Sequence, residues 1–149
     1  MELLLGAHVR EYGDRVGRLA GFELELTTLR IRRILVSPDG ALSAQTTAHL
    51  LHSVAHVHDR GEIELRADVE APPMPSVSDV VTLGRDTRMT DSGREAGKLV
   101  GIEVDAGESK LVSAFVRHGW LARRTEVPAK QIDFSKPGEL RRIGTSRAA

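Results

Sequence analysis

Cysteine is absent from this 149-residue chain. Without a thiol there is no disulfide frame, no thiolate nucleophile and no cysteine-ligated metal, and a reducing compartment is the natural setting. Aromatic residues are nearly as scarce: one Trp, one Tyr and three Phe. A surface that stacks unpaired bases on rings has little to draw on. Net charge is also missing. Lys+Arg and Asp+Glu both total 21, so no overall field draws the chain to nucleic acid or acidic lipid. The apolar runs fall well short of the roughly 18 residues that a membrane-spanning helix needs. "MELLLG" lacks the basic start and long apolar region of a signal peptide. The expectation is a cytoplasmic protein with no membrane span.

What is present supports a packed core: 40% apolar and 28% charged residues, ordinary values for a globular chain. The charge is unevenly shared. Residues 1–70 carry 8 basic and 11 acidic side chains, a net of −3, and residues 71–149 carry 13 and 10, a net of +3. Two halves of opposite sign can dock on one another.

The halves also repeat. "GDRVGRLAGFELE" at 13–25 returns as "GREAGKLVGIEVD" at 93–105. A gapless shift of eighty pairs Val9–Val36 with Met89–Val116. Six pairs are identical: Gly13/Gly93, Gly17/Gly97, Leu19/Leu99, Gly21/Gly101, Glu23/Glu103 and Val36/Val116. Chance at ordinary composition gives roughly two. Arg18/Lys98 and Arg30/Lys110 match in kind. Three identities are glycines, the residue hardest to replace where backbone must turn or approach closely. Between the copies lies "EAPPMPSVSD", whose prolines read as a semi-rigid linker. The division is therefore 1–70, a linker at 71–79, and 80–149.

Within each copy the apolar pattern has strand length. "FELEL" alternates apolar and acidic residues, and "IEVD" repeats the alternation. Leu19 and Leu99 are out of phase with it, which predicts a β-bulge near Gly21 and Gly101. "EYGDR" and "TDSGR" read as hairpin turns with Gly13 and Gly93 in the left-handed position. "RIRRILV" and "KLVSAFV" are central strands. "HDRGEIEL" and "SKPGELRRI" close the copies as hairpins with Gly61 and Gly138 at their tips. "AQTTAHLLHS" is the one helix candidate of note, and its counterpart "VPAKQI" predicts a single turn. Each copy is then five or six short strands plus one helical turn, a small barrel. One such unit of about 65 residues is marginal alone, and two can cover each other as a pseudo-dimer.

The Gly-x-x-x-Gly turn, the "KLVSAFVRHG" strand and "EVPAKQI" together resemble the PRC-barrel family. That family includes the photosynthetic reaction-centre H subunit and the C-terminal domain of the ribosome maturation factor. The second copy resembles it from about Val81 to Ile143, through Gly93, Gly97, Val104, Asp105, Val116, Gly119, Val127, Pro128 and Ile132. The first resembles it from about Leu5 to Leu65, with Thr47-Ala48 where Val-Pro is expected and "LTTLR" in place of an acidic turn. The resemblance implies an all-β fold, two PRC-type barrels in tandem, and no catalytic residues or cofactor. It implies a non-enzymatic binding or assembly module, monomeric or homodimeric, with a protein partner. An RNA or ribosome-maturation role is the alternative. The membrane anchor of an H subunit has no counterpart here.

Several side chains are candidates for specific chemistry. His49, His52, His56 and His58, with Asp59 beside them, allow a zinc or nickel site to be drawn, yet their spacing fits no known ligand signature. A solvated imidazole face is the simpler reading. Arg30, Arg32 and Arg33, and Arg123, Arg124, Arg141 and Arg142, form short basic clusters that could grip RNA phosphates. No nucleotide-binding or nucleophile-elbow motif occurs. Trp120, Arg123, Arg124 and Arg117 stand in "RHGWLARR", a turn found in the second copy alone. An aromatic beside guanidinium groups has the composition of a protein interface centre. The histidines are expected to hold no metal. Elemental analysis of the purified protein checks this: stoichiometric zinc or nickel, lost in His56→Ala/His58→Ala, would establish the metal site instead.

Overall fold

The computed structural model describes residues 1–66, 79–119 and 122–143. Most of the Pro-rich linker, and Trp120, lie outside them. The described chain is all-β, as expected, with fourteen strands in one sheet. The first copy forms β1 (Glu2–Leu4), β2 (His8–Glu11), β3 (Asp14–Glu25), β4 (Arg30–Ser37), β5 (Thr47–Leu50), β6 (Val54–Val57) and β7 (Ile63–Leu65). The second forms β8 (Val80–Gly84), β9 (Arg88–Asp91), β10 (Arg94–Asp105), β11 (Lys110–Arg117), β12 (Thr125–Pro128), β13 (Ile132–Asp133) and β14 (Glu139–Arg142).

The repeat is written into the ladders. Strands β2, β3 and β4 pair as β9, β10 and β11 do, at residues exactly eighty apart: Leu19 faces Val36 as Leu99 faces Val116. Each long strand slips register between Leu19 and Gly21, or Leu99 and Gly101, where the alternation required a bulge. The β2–β3 and β9–β10 hairpins turn on Tyr12-Gly13 and Ser92-Gly93, with all four residues at positive φ (53° and 80°, 53° and 81°). Such a turn matches the right-handed twist of its strands. Even "LTTLR" and its dissimilar counterpart turn alike, with Leu29 and Ser109 at φ 56° and 61°.

The helix expected over "AQTTAHLLHS" is not there. Residues 47–50 are strand β5, and only Leu51–Ser53 form a short 3-10 turn. Ala129–Gln131 form its partner. Pairing with β4 and β11 explains the difference: Ile34 faces His49 as Ala114 faces Val127, so the tertiary ladder outweighs local helix propensity. It also corrects the alignment. The residues standing where the second copy has Val127-Pro128 are His49-Leu50, not Thr47-Ala48.

Two separately closed barrels are not what the ladders describe. The sheet is open: no described ladder joins β5 to β6 or β12 to β13, and a 3-10 turn occupies each corner. The copies are also interlocked. Strand β1 pairs with β10 of the second copy, Leu3 opposite Ile102 and Leu4 opposite Gly101. Strand β8 pairs with β3 of the first, Leu83 opposite Phe22 and Gly84 opposite Gly21. The two exchanges obey the same eighty-residue relation. A second seam joins β4 to β11 at Arg30 and Lys110, where Ile31 N–H donates to Ser109 O and Leu111 N–H to Leu29 O, both at 2.8 Å.

One core runs through both copies. Leu3 and Leu83, carried on the exchanged strands, are buried in the same cluster as Phe22, Ile34, Ile102, Ala114 and Leu140. Burying each leucine contributes about 2 kcal/mol. The exchange also explains the repeated glycines. A Cβ on Gly21 would lie 2.5 Å from Leu83 O, and one on Gly101 would lie 2.7 Å from Leu3 O. Gly101→Ala should therefore push β1 off β10, costing about 2 kcal/mol and lowering the melting temperature by about 4–8 °C. Gly107→Ala, whose new Cβ would meet nothing nearer than Asp105 Oδ1 at 3.4 Å, is the control. Equal melting temperatures for the two variants would remove close approach as the reason for the repeat.

Candidate functional site

Where β1 ends, Leu5 N–H donates to Val100 O at 2.9 Å and Gly6 N–H donates to Leu19 O at 2.8 Å. Residues 5 and 6 are thereby strung between the two long strands, one from each copy. Gly6 makes the bend at φ 85°. Above this crossing opens a cleft of about 560 Å³. It is lined by apolar Leu4, Leu5, Leu99 and Val100 and by Arg18, Arg85, Lys98, Arg117 and Arg124, with Asp39 as the one carboxylate. Two residue pairs related by the eighty-residue shift, Arg18/Lys98 and Leu5/Arg85, line it together. The cleft therefore straddles the pseudo-twofold relation and neither copy could form it alone.

The five cations are not equivalent. Arg18 donates through Nη1 to Gly6 O at 3.0 Å. Arg124 lies 4.1 Å over the ring of Phe115 and donates to Glu2 Oε1 at 2.9 Å, tying the second copy to the exchanged strand. Expected as a contact for a partner, Arg124 is thus engaged within the chain. Asp39 accepts from Ala41 N–H at 3.0 Å. That hydrogen bond, assisted by Arg85 nearby, holds its carboxyl below the ordinary range. Arg85, Lys98 and Arg117 make no ion pair with a described carboxylate. All five cations are exposed, and together they give the cleft a local positive charge that the zero net charge of the chain conceals.

Of the expected interface residues, Arg117 and Arg124 come together at the cleft. Arg123 is exposed but does not line it. The sequence reading missed Arg18, Lys98, Arg85 and Asp39. Arg18/Lys98 was visible as a repeat match, but nothing local shows that a repeat match faces a shared cavity.

The histidines separate. His49, half-buried on β5, lies 3.0 Å from Thr47 Oγ1. His52 is exposed in the 3-10 turn. Because no helix forms, the helical face expected to unite His49 and His52 does not exist. His56 and His58 meet edge to face, ring centroids 4.6 Å apart, with Glu64 3.6 Å from His58 Nε2. No group of three or more potential ligands with metal-binding geometry forms among the described residues. Arg32 and Arg33 on β4 are engaged, Arg32 3.9 Å from Glu25 Oε2. Arg33 makes a two-pronged pair with Glu23, its Nη2 2.8 Å from Oε2, and this raises its already high pKa. The recurring glutamate is thus a structural partner in the first copy.

A scan against protein-family models finds no match, and a search of the curated proteins finds no significant relative.

The placement of His49 has a consequence for pH. Burial lowers its pKa from the ordinary value of 6.5, opposed in part by Glu11. A lowered folded-state pKa means that the unfolded chain takes up the proton first, so stability declines as pH falls below about 6.5. His49→Gln should flatten that decline in urea titrations between about pH 7 and pH 5. A residual slope is expected from His8, also lowered by burial and by Arg15 and Arg18. An unchanged slope would show that His49 is solvated.

Proposed function

We propose that the chain is a non-enzymatic binding and assembly module of tandem PRC-barrel type, whose two copies are fused through exchanged strands and whose partner is a protein. The observation that carries the reading is how residues divide between the copies. What the copies share serves the scaffold: turn glycines, close-approach glycines and core leucines. What distinguishes the second copy is a group of cations, Arg117, Arg123 and Arg124, at the end of β11 and just before β12, where the first copy has Ser37 and a loop whose one charged residue is Asp39. A partner with a complementary acidic face docks there, guided by charge and held by groups at the rim.

RNA is the competing partner class. Against it stands the scarcity of exposed rings, with Tyr12 the exposed aromatic among the described residues.

Arg123 separates docking from folding, because it is exposed and outside the cleft. Affinity capture on immobilised protein, read by quantitative mass spectrometry, should yield a partner that Arg123→Glu loses by about tenfold, with the melting temperature unchanged. Equal capture by the wild type and the variant would exclude this surface. Ribonuclease-sensitive capture would favour RNA.

A further inference from the structure

The seam cleft goes beyond that reading, because its chemistry is that of a small-ligand site. We infer that it binds a compact molecule bearing two or more phosphate oxyanions and an apolar body. Three observations converge. The cavity, at about 560 Å³, lies in the range of small-molecule pockets, roughly 300–1,000 Å³. Lys98 and Arg117 line it without a described ion-pair partner, and Arg85 has only the nearby Asp39, so the lining keeps an excess of positive charge. The leucine and valine residues of the lining give an apolar body somewhere to rest.

The type of cation points to phosphate. Each guanidinium presents a planar fork that matches two oxygens of one phosphate, and a lysine ammonium adds a point charge. A single carboxylate would leave most of the charge unmatched. Asp39, ionised and oriented by Ala41 N–H and near Arg85, favours neutral or donor groups of the ligand beside it. A long nucleic acid would need the positive charge to continue beyond the cleft. The next cavity along the first copy is lined by Arg10, Arg15 and Arg60 but also by Asp59 and Glu62, with Arg10 and Glu62 paired at 3.1 Å. A cavity sharing Arg18 adds His8 and Arg15 with no carboxylate. The compact ligand is therefore favoured by the apolar lining and volume of the seam cleft and not by an end to the positive charge.

Because both copies build the site, a bound ligand would bridge them. It would stabilise the interlocked state over any in which β1 leaves β10. Binding and folding would be linked, and saturating ligand would raise the melting temperature.

The experiment uses the intact chain and two defined probes, pyrophosphate and adenosine diphosphate. Isothermal titration at about 0.02 M and about 0.15 M salt should give one saturable site that weakens with salt. Amide resonances of Leu5, Gly6 and Val100 should shift. The Arg85→Ala/Arg117→Ala variant should keep the ligand-free melting temperature and bind about tenfold or more weakly. Arg123→Glu should bind the probes as wild type does, so failure of the docking surface and failure of the ligand site are read separately. The inference is overturned if neither probe saturates, or if the double variant binds as wild type does. Tighter binding of a single-stranded RNA or a polyglutamate peptide than of adenosine diphosphate would also overturn it, by making the cleft a macromolecular contact. Should the double variant fail to fold, Lys98→Gln supplies the same comparison.

Discussion

The approach of one copy's first strand to the other copy's long strand constrains nearly everything else in this molecule. Strand β1 lies on β10 and β8 on β3, and each contact passes a glycine where a Cβ would strike backbone carbonyl oxygen. That proximity requires Gly21 and Gly101. It calls for bulges at the same level, since each long strand must hand its edge from its own hairpin partner to the incoming strand. It also brings Leu3 and Leu83 into the core of the opposite copy. A small sheet of about 65 residues buries too little surface to be secure. Reciprocal exchange lets two such sheets share one core without a long helix.

The cleft is a by-product of the same contact. Two strands cannot cross between copies without leaving a saddle where they turn back, and Leu5-Gly6 is that turn. Two pairs of equivalent positions, Leu5/Arg85 and Arg18/Lys98, line it together. In a perfect repeat they would be alike. Here Leu5 corresponds to Arg85, and Ser37, outside the lining, to Arg117, so divergence has given the saddle both apolar and cationic lining. Architecture and electrostatics are therefore separable: the first belongs to the repeat and the second to departures from it. Arg124 shows the two meeting, since its guanidinium packs on buried Phe115 while pairing with Glu2 of the exchanged strand.

Much of this fold was legible residue by residue. The hairpin glycines, the strand periods, the bulges and the pairing of equivalent segments all follow from interactions within about a dozen residues, and short-range sterics are encoded locally. The helix over "AQTTAHLLHS" was misread because its local propensity was real but weaker than the ladder to β4. The shared face of His49 and His52 was misread for the same reason, since it assumed the helix. The shift from Thr47-Ala48 to His49-Leu50 arose where the two copies differ in loop length, and a gapless offset cannot register that.

Sequence alone determined that the chain is all-β, that it is written twice, and which glycines the backbone cannot spare. Only the tertiary structure decided that the first strand of each copy belongs to the other, that the sheet stays open at its corners, and that Arg18, Arg85, Lys98 and Arg117 share one cleft. The physical reason is range. Turn geometry and side-chain alternation act between neighbours, where the order of residues states them directly. Exchange and cavity formation depend on groups about eighty positions apart, whose meeting is settled by which packing buries the most apolar surface.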